Sequence, residues 1–470
     1  MMSIFDFMKN GKQVEDSVSG FFKTNGVGKI LGSQGAYNVK TKGIPVMEVM
    51  LYLVSLVFTK KSMYMNMRNG TNLPGFKGDT VYRFLNSHCI NWVMFLLKLA
   101  ISVIKPIKVA TSEDRLCALV VDDSLFSRGR SKTVELLANV YDHASHGKNK
   151  YVRGFRMLTL GWTDGVSFIP LMFRHMSSKD KKSRYNEINP TIDKRSTGYK
   201  ARLQAISTMP EVLLWMVKEA KKAGVPAKHI LFDSWFSYPS TMIAILKEGF
   251  HSVGMLKNTK TIKYLAGGTK KTLSEIYTSN RKRSGMAKYL LSIEVEIYND
   301  KGETVPFKLV YVRDRKNRKK WLALGTTDMS LSEEAIIQLY GKRWDIEVFF
   351  KMCKSYLNLA KEFQGISYDL ITAHTAIVMT RYIILAADKR HNEDHRTMTE
   401  MFHSCYDEMA DITFARALTL IMETLHVALQ ECISLSESEI NIIMDAFIDG
   451  LSFRFSGFFE NNANQLTRTA

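Results

Sequence analysis

Cysteine is scarce in this sequence, and no cysteines are paired in a recognisable motif. The 470 residues include five, at positions 89, 117, 353, 405 and 432, and no two of them form a CxxC pair. This excludes a readable zinc knuckle and a dithiol redox motif. An odd, scattered set of thiols is typical of a reducing compartment, so we expect reduced cysteines in a cytosolic setting.

Features of membrane targeting are also missing. Residues 1–13, MMSIFDFMKNGKQ, lack the basic-then-apolar order of a signal peptide. The most apolar stretch, Val49 to Phe58, is too short to span a bilayer. No internal repeat or low-complexity linker is visible. We therefore expect a soluble intracellular protein with no membrane partner, whose domains are nested rather than strung along the chain.

Acidic residues are too few to balance the basic ones. Lys and Arg number 65 against 46 Asp and Glu, which gives a net charge of +19. Such an excess raises the local concentration of polyanions and suits a long phosphate backbone. A habit of binding membrane surfaces, or a merely basic exterior, is the alternative. For a chain long enough to form two or three domains, nucleic acid is the favoured partner.

The first 110 residues are predicted to form helices joined by basic turns. Residues 78–105 carry apolar side chains at helical spacing, namely Val81, Phe84, Leu85, Trp92, Phe95 and Leu96. The basic residues of this region include Lys60, Lys61, Arg68 and Arg83. Such a module would either contact DNA or pack as a helical subdomain against a catalytic core.

Strands and helices alternate after residue 110. The run LCALVVDDS (116–124) is an apolar strand that ends in two carboxylates and a hydroxyl. Residues 151–176 are predicted to form two strands around a turn at 163–165. The strand HILFDSWFS (229–237) is apolar up to Asp233. With a helix, roughly 201–223, before that strand and a helix and a short strand after it, the pattern predicts an α/β unit.

Two basic regions accompany this unit. Residues 177–202 are predicted to be an exposed loop, for which phosphate binding and simple solvation both stay open. Residues 257–321 are β-rich, with a hairpin predicted around the turn at 301–303 and basic clusters at 281–283 and 315–320. A helix entered near Ser332 follows, and the chain from about 368 is predicted to be helical.

That later helix includes the segment YGKRWDIEVFFKMCKSY (340–356). Tyr340, Arg343, Glu347 and Lys354 follow one another at intervals of three, four and seven. On a helix, these side chains fall within a sector of about 60°. A carboxylate on that face can hold a divalent metal, and the Arg and Lys can grip phosphates. A solvated face with intrahelical ion pairs is the alternative.

Three carboxylates form a candidate metal site. Asp122 and Asp233 end apolar strands, and Glu347 lies on the later helix. Ligand sites gather at the carboxyl ends of strands in open α/β sheets. Mg²⁺ and Mn²⁺ prefer carboxylate oxygens, and two such ions about 4 Å apart clamp the attacking and leaving oxygens of a phosphodiester. For a single strand-end Asp, a turn or helix cap is the alternative.

The pattern Tyr-x2-Arg-x3-Glu-x6-Lys resembles the signature of transposases of the insertion-sequence-4 family. VVDDS resembles the strand with that family's first aspartate, and ILFDSWFS the strand with its second. The resemblance covers residues 115–365. It implies an α/β fold: an RNase H-like catalytic core interrupted by a β-rich insertion, with helical N- and C-terminal regions. The 113 residues between Asp233 and Glu347 match such an insertion.

The same resemblance implies a role for each carboxylate. Asp122, Asp233 and Glu347 would be the catalytic, metal-binding triad, with Mg²⁺ as cofactor and Mn²⁺ able to substitute. The family's first aspartate is commonly followed, two residues on, by Ser or Thr; Asp122 with Ser124 fits this pattern. Asp123 has Leu125 at that position, so Asp123 is instead expected to contact the metal-binding residues without binding the metal itself.

The resemblance also implies DNA contacts. Tyr340, Arg343 and Lys354 would bind phosphates near the end of the transposon. Trp321, twenty-six residues before Glu347, resembles a family tryptophan that stacks on a flipped base. Stacking on an aromatic ring can offset the cost of unpairing that base. The alternative for Trp321 is a tryptophan that simply begins a core strand.

These expectations divide the chain into five regions. They are a helical DNA-binding region (1–110), the first part of the core (111–256), the β-rich insertion (257–325), the second part of the core with the Glu helix (326–370), and a helical region that is a candidate for dimerisation (371–470).

The function so predicted is that of a DNA transposase. It binds the inverted repeats of an insertion sequence, hydrolyses a phosphodiester with two metal ions and transfers the strand, with a hairpin intermediate as one route. Its partners are double-stranded DNA and a second copy of the chain. The alternatives are a metal-dependent nuclease without transposition and an inactive repressor derived from a transposase.

Overall fold

The computed structural model describes residues 12–38, 43–59, 62–68, 75–111, 115–142, 150–283, 287–314, 317, 320–363, 365–391 and seven positions between 425 and 446. The chain forms two compact units, Met1–Asp16 with Cys405–Ala470, and Ser17–Ser404. In the first unit, Leu425 packs against the buried Leu429 and Ile440. Most of the candidate dimerisation region, and the basic residues Lys60 and Lys61, lie outside the described residues.

Helices make up the N-terminal part of the second unit and flank its sheet. They are α1 (Lys12–Thr24), α2 (Val27–Ser33), α3 (Val46–Ser55), α4 (Met63–Arg68), α5 (Gly78–Leu85), α6 (Trp92–Val109), α7 (Thr197–Ala205), α8 (Met209–Lys222), α9 (Pro239–Lys247), α10 (Leu273–Ser279), α11 (Glu333–Gly341), α12 (Trp344–Ser355) and α13 (Tyr368–His391). The six apolar side chains named above for residues 78–105 are all buried. Their helical spacing therefore identified the faces of α5 and α6 that form the core.

One mixed sheet runs through the second unit. Its strands are β1 (Ala118–Ser127), β2 (Ala138–Tyr141), β3 (Tyr151–Thr163), β4 (Phe168–Met176), β5 (His229–Phe232), β6 (His251–Met255), β7 (Tyr264–Ala266), β8 (Thr269–Lys271), β9 (Leu291–Tyr298), β10 (Thr304–Arg313) and β11 (Trp321–Thr326). The order is β2-β3-β1-β5-β6-β11-β10-β9-β7-β8, and β4 pairs with β3. The prediction of an α/β fold is confirmed.

The sheet is parallel at its centre and antiparallel elsewhere. β5 runs parallel to both β1 and β6, while β3, β4 and the later strands form antiparallel pairs. The predicted hairpin forms between β9 and β10, in antiparallel register. Gly302 in its turn has a φ of 78°, a backbone conformation that glycine adopts without steric cost.

A single helix over 201–223 is a wrong prediction. Two helices, α7 and α8, occupy this region, and Thr208 begins the second one. Thr208 and Glu211 form a capping box, and Pro210 lies in the first turn of α8. Because proline cannot donate to the preceding turn, it suits a helix start and interrupts a continuous helix.

Helix α13 contains an apolar segment that is longer than Val49 to Phe58, the stretch singled out from the sequence. Val49 to Phe58 is too short to span a bilayer, as predicted, but Tyr368–Arg390 within α13 is long and apolar enough by length and composition. In the structure 89% of its apolar window is buried inside the protein. Arg381 in this helix is 1% exposed and binds the carbonyl oxygens of Leu53 and Val54 at the end of α3. The helix is therefore part of the protein core.

A buried ion cluster joins three distant parts of the chain. Arg202 on α7 bonds Glu135, in the loop before β2, and Asp369, in the first turn of α13, with N–O distances of 2.7 Å to each. The pKa of Glu135 is lowered despite its burial, because the Arg202 guanidinium and two backbone N–H groups bind its carboxylate. Two carboxylates share one guanidinium, so the cluster depends on Arg202 more than on either acid.

We expect Arg202→Met to destabilise the protein by about 3–5 kcal/mol, since it leaves two buried carboxylates without their cation. Urea unfolding followed by circular dichroism measures this. Arg195→Met is the matched control, because the Arg195 side chain is 92% exposed and pairs with Asp193, which is itself exposed. If Arg202→Met and Arg195→Met unfolded at the same urea concentration, a structural role for the Arg202 cluster would be contradicted.

Candidate active site

Parallel pairing of β1 with β5 brings two aspartates side by side. Val120 pairs with Leu231 at the end of the shared register. Two residues beyond this pair lie Asp122, still within β1, and Asp233, the first residue after β5, close enough for the charge of Asp233 to act on Asp122. Asp122 does not end its strand as predicted, because β1 continues to Ser127 in pairing with β3. Its carboxylate is placed where the neighbouring strand β5 stops.

The helix with the third carboxylate is interrupted, contrary to the prediction of one helix over 340–356. The structure has α11 and α12, joined at Lys342 and Arg343. In this joint the N–H groups of Lys342 and Arg343 bond the carbonyls three residues earlier, as in a 3₁₀ turn. Both joint residues keep right-handed helical angles, so the break tightens the helix without reversing its direction.

Apolar contacts and a hydrogen bond hold α12 against the sheet. Its residues Ile346, Phe349, Phe350, Met352 and Cys353 are buried, with the spacing of one helix face. The Phe349 ring packs on Phe168 of β4 and on Tyr382 of α13, with centroids 5.1 and 4.8 Å apart. At the start of the helix the Thr163 hydroxyl donates to Asp345 at 2.6 Å.

Arg343 links the first and third carboxylates. Its Nη1 lies 3.2 Å from Asp122 Oδ2, and its Nη2 donates to Glu347 Oε1. The guanidinium also lies 5.9 Å from the centre of the Tyr340 ring. The structure thus brings together Asp122, Asp233, Glu347, Arg343 and Tyr340, all five of them predicted site residues.

The carboxylates of this site lie close together, and their charges shift the pKa values of the neighbouring groups. Burial raises the pKa of Asp122 to about 7, and the neighbouring charge of Asp233 adds to this while Arg343 opposes it. Burial also raises the pKa of Tyr340, helped by Asp233 and Asp122. Burial alone would lower the pKa of Arg343, but Tyr340, Asp122 and Glu347 raise it overall. The site therefore has more negative charge than its one guanidinium can balance.

These groups have the donor chemistry of a magnesium or manganese site. Asp122 and Asp233 supply hard oxygen ligands beside each other, and a divalent cation would relieve the repulsion that raises the pKa of Asp122. Within the described part of the chain, no three His, Cys, Asp or Glu side chains converge on one point. Arg343 lies between the carboxylates of Asp122 and Glu347 and keeps these two groups apart.

Asp123 points to the other face of β1 from Asp122, because successive side chains of a strand alternate. The Asp123 carboxylate pairs with Arg156, which also donates to the Tyr141 carbonyl at 3.2 Å. Lys354 is half-buried near the same groups; burial and the charge of Arg156 lower its pKa, while Asp142 and Asp123 oppose this. The structure therefore places Lys354 beside Asp123 and Arg156, while Arg343 lies beside Asp122.

Trp321 begins β11 and belongs to an aromatic cluster. Its ring stacks on Tyr277, with centroids 5.0 Å apart and planes 27° apart, and meets the edge of Tyr311 at 5.1 Å. Lys282 lies 4.8 Å above the outer face of this cluster, at Tyr277. Packing inside the β-rich region thus accounts for Trp321 without a ligand.

Trp235 is an exposed aromatic residue beside Asp233 that the sequence patterns did not single out. It follows Asp233 by two residues, and its backbone N–H donates to Asp233 Oδ1 at 2.9 Å. The indole is 51% exposed, and Lys257 Nζ lies 4.9 Å from the centre of the ring. A large aromatic residue in the turn after a strand-end aspartate was the available signal in HILFDSWFS.

We expect Asp122→Asn to stabilise the protein at pH 8 in the presence of a chelator. The folded-state pKa of about 7 exceeds the unfolded value of 3.8, so ionisation of Asp122 costs stability as the pH rises through this window. The gain should be about 2 kcal/mol or more at pH 8 and should disappear near pH 4. Thermal unfolding of Asp122→Asn and of the exposed control Asp300→Asn measures it. If the stability difference between Asp122→Asn and wild type did not change with pH, the raised pKa of Asp122 would be contradicted.

Family models match the chain across these residues. A model described as DDE superfamily endonuclease matches residues 48–285, which include Asp122 and Asp233. A model described as transposase DDE domain matches residues 200–380, which include Asp233 and Glu347. No curated protein matches the sequence. Because the first model spans just over half of the chain, the protein belongs to the DDE superfamily of endonucleases and transposases.

Proposed function

We propose that this protein is a DNA transposase of the insertion-sequence-4 type, with an RNase H-like core and a β-rich insertion. It binds the terminal inverted repeats of its element, cuts DNA at their ends and joins the freed 3′-hydroxyl to target DNA. The observation that carries the proposal is the alignment of Asp122 with Asp233 on parallel strands, facing the helix of Glu347 across Arg343.

Each side chain of the site has a part in this chemistry. Asp122 and Asp233 would hold divalent cations, with Glu347 completing the set once Arg343 releases it. Bound Mg²⁺ or Mn²⁺ would lower the pKa of water or of a 3′-hydroxyl and stabilise the leaving oxygen. Arg343 and Tyr340 would bind the phosphates beside the cut, and a guanidinium suits phosphate because it donates two parallel hydrogen bonds.

The shared position of Arg343 couples DNA binding to metal binding. While Arg343 bridges Asp122 and Glu347, its positive charge occupies the place between the two carboxylates. A DNA phosphate would draw the guanidinium away, which frees both carboxylates for a cation. We therefore expect Mg²⁺ to bind more tightly in the presence of a transposon end than in its absence.

Basic and aromatic residues alternate on the β-rich region and support DNA binding there. Lys270 lies 4.6 Å from the Tyr298 ring, Lys282 lies 4.8 Å from the Tyr277 ring, and Arg283 lies 4.5 Å from the Tyr289 ring. Cations attract backbone phosphates, and aromatic faces stack on bases. We propose that this region and the basic N-terminal helices bind the transposon end. A second copy of the chain would hold the other end, in a nucleoid-associated complex in the bacterial cytoplasm.

Loss of Glu347 tests the catalytic assignment. In Mg²⁺, with a duplex that carries the inverted repeat, Glu347→Gln should cut more than about 100-fold more slowly than wild type, because even partners of metal ligands are worth 10–100-fold. Binding to the same duplex in a chelator should persist. Glu334→Gln, on the preceding helix α11, is the control and should cut normally. Equal cutting by both variants would refute the role of Glu347.

Supplying a target plasmid separates the activities. Joined products from wild type support transposition. Metal-dependent cutting without joined products favours a nuclease on the same core. Tight binding to the repeats with no nicking by the wild type favours a repressor.

Exposed Trp235 gives a second test at the same site. We expect Trp235→Ala to bind the cut, locally unpaired transposon end roughly 10-fold more weakly, because one stacked base contributes about 1–3 kcal/mol. Its melting temperature should stay close to that of wild type, since the indole is half exposed. Fluorescence of 2-aminopurine placed at each end position measures the stacking.

Trp321→Ala is the comparison for this experiment. Its ring is packed against Tyr277 and Tyr311, so we expect this variant to lose thermal stability. If 2-aminopurine fluorescence increases with Trp321→Ala but not with Trp235→Ala, then Trp321 stacks on the flipped base, as the family resemblance implies, and Trp235 does not.

A further inference from the structure

A cavity of about 280 Å³ lies on the opposite side of the sheet from Asp122. Arg174 of β4 pairs with Leu158 of β3, which pairs with Asp123 of β1, so Arg174 shares a face with Asp123. Asp122 points to the other face. The cavity is lined by the first turn of α6, by α7 and α8, and by the start of α13.

Arg174 is a buried cation on the wall of this cavity. It is 4% exposed, and no carboxylate of the described residues lies within salt-bridge distance of it. The Tyr368 hydroxyl lies beside its guanidinium, and the Trp215 ring lies 5.5 Å away. Its Nε–H has no acceptor among the described residues. A buried charge without a counter-ion is costly unless something supplies the opposite charge.

More hydrogen-bond donors line the same cavity. The Trp92 side chain is 2% exposed, and its Nε1–H also lacks an acceptor within the described residues. Trp92 and Val93 begin the 18-residue helix α6, whose Asn91 cap binds the N–H of Met94. The N–H groups at a helix start and the helix dipole favour an anion. Arg174 on β4 and the start of α6, which includes Trp92, are thus two separate features of the lining.

The acidic residues of the lining are already bound. Asp369 accepts two hydrogen bonds from Arg202, at 2.9 and 2.7 Å. Glu219 pairs with Lys222 at 2.9 Å. Lys200 is exposed and adds a cation to the lining. The lining thus offers Arg174 and Lys200 as cations, beside carboxylates that already accept hydrogen bonds or ion pairs.

We propose that this cavity binds the terminal phosphate of a small molecule, either inorganic phosphate or a phosphate monoester. Four kinds of donor belong to residues of its lining: the Arg174 guanidinium, the Trp92 indole, the first turn of α6 and the Lys200 ammonium. A tetrahedral phosphate offers enough oxygens to accept from all of them. Donors as buried as these receive a phosphate at the end of a molecule, whereas the continuous backbone of a DNA duplex stays outside. The site is separate from the carboxylate site and does not rest on the proposed function.

Calorimetric titration of the full-length protein with inorganic phosphate tests the proposal. The buffer contains a chelator, and chloride titrated at equal ionic strength is the reference. Wild type should bind phosphate and not chloride. Lys200→Met should bind phosphate about 10-fold more weakly, because a charge-assisted hydrogen bond is lost. Lys194→Met removes an exposed lysine outside the lining and should bind like wild type.

Arg174→Met should lose binding altogether. If that variant does not fold, the difference between Lys200→Met and Lys194→Met decides. Equal affinity of these two variants, or no binding by wild type, would overturn the proposal. Adenosine 5′-monophosphate titrated in parallel identifies the source of the phosphate: tighter binding than inorganic phosphate indicates a nucleotide packed on Trp215, and equal binding indicates that the phosphate alone is recognised.

Discussion

Parallel pairing of β1 with β5 is the constraint on which the candidate active site depends. It sets Asp122 and Asp233 at the same level of the sheet, although 110 residues separate them in the chain. Like charges so placed repel each other, and the raised pKa of Asp122 is the direct result. The fold tolerates this arrangement because hydrophobic packing elsewhere supplies the stability that the site lacks. Sites that bind cations commonly carry such electrostatic strain.

Helix α12 balances part of that charge. Its apolar face is fixed on β4 and α13 by Phe349, and its polar face carries Arg343 and Glu347 toward the aspartates. Because one turn of helix separates Arg343 from Glu347, the guanidinium can reach both Glu347 and Asp122 at once. The same side chain thus stabilises the metal-free site and is suited to bind a phosphate. Competition between these two partners would make metal binding responsive to DNA.

Buried polar clusters away from this site differ in how completely their charges are paired. Arg202 is held by two carboxylates, and Arg381 is surrounded by backbone carbonyls and Glu362, so both have structural roles. Arg174 is as deeply buried as these two but has no carboxylate partner in the described part of the chain. The contrast within one protein is the reason to regard Arg174 as part of a binding site.

The sequence by itself determined the strands, most helix faces and the identity of the carboxylates. Period-two and helical apolar patterns are local properties, so β5, the β9–β10 hairpin and the buried faces of α5 and α6 follow from them directly. Asp122 and Asp233 could be singled out because they follow apolar runs, and Glu347 because it shares a helical spacing with Tyr340, Arg343 and Lys354. Only the tertiary structure decided how these residues meet. The continuation of β1 past Asp122 depends on pairing with β3, and the joint at Lys342 and Arg343 depends on docking of α12 against the sheet. The exposure of Trp235, the packing of Trp321 and the unpaired charge of Arg174 arise from contacts between segments that are distant in the chain, which no local pattern contains.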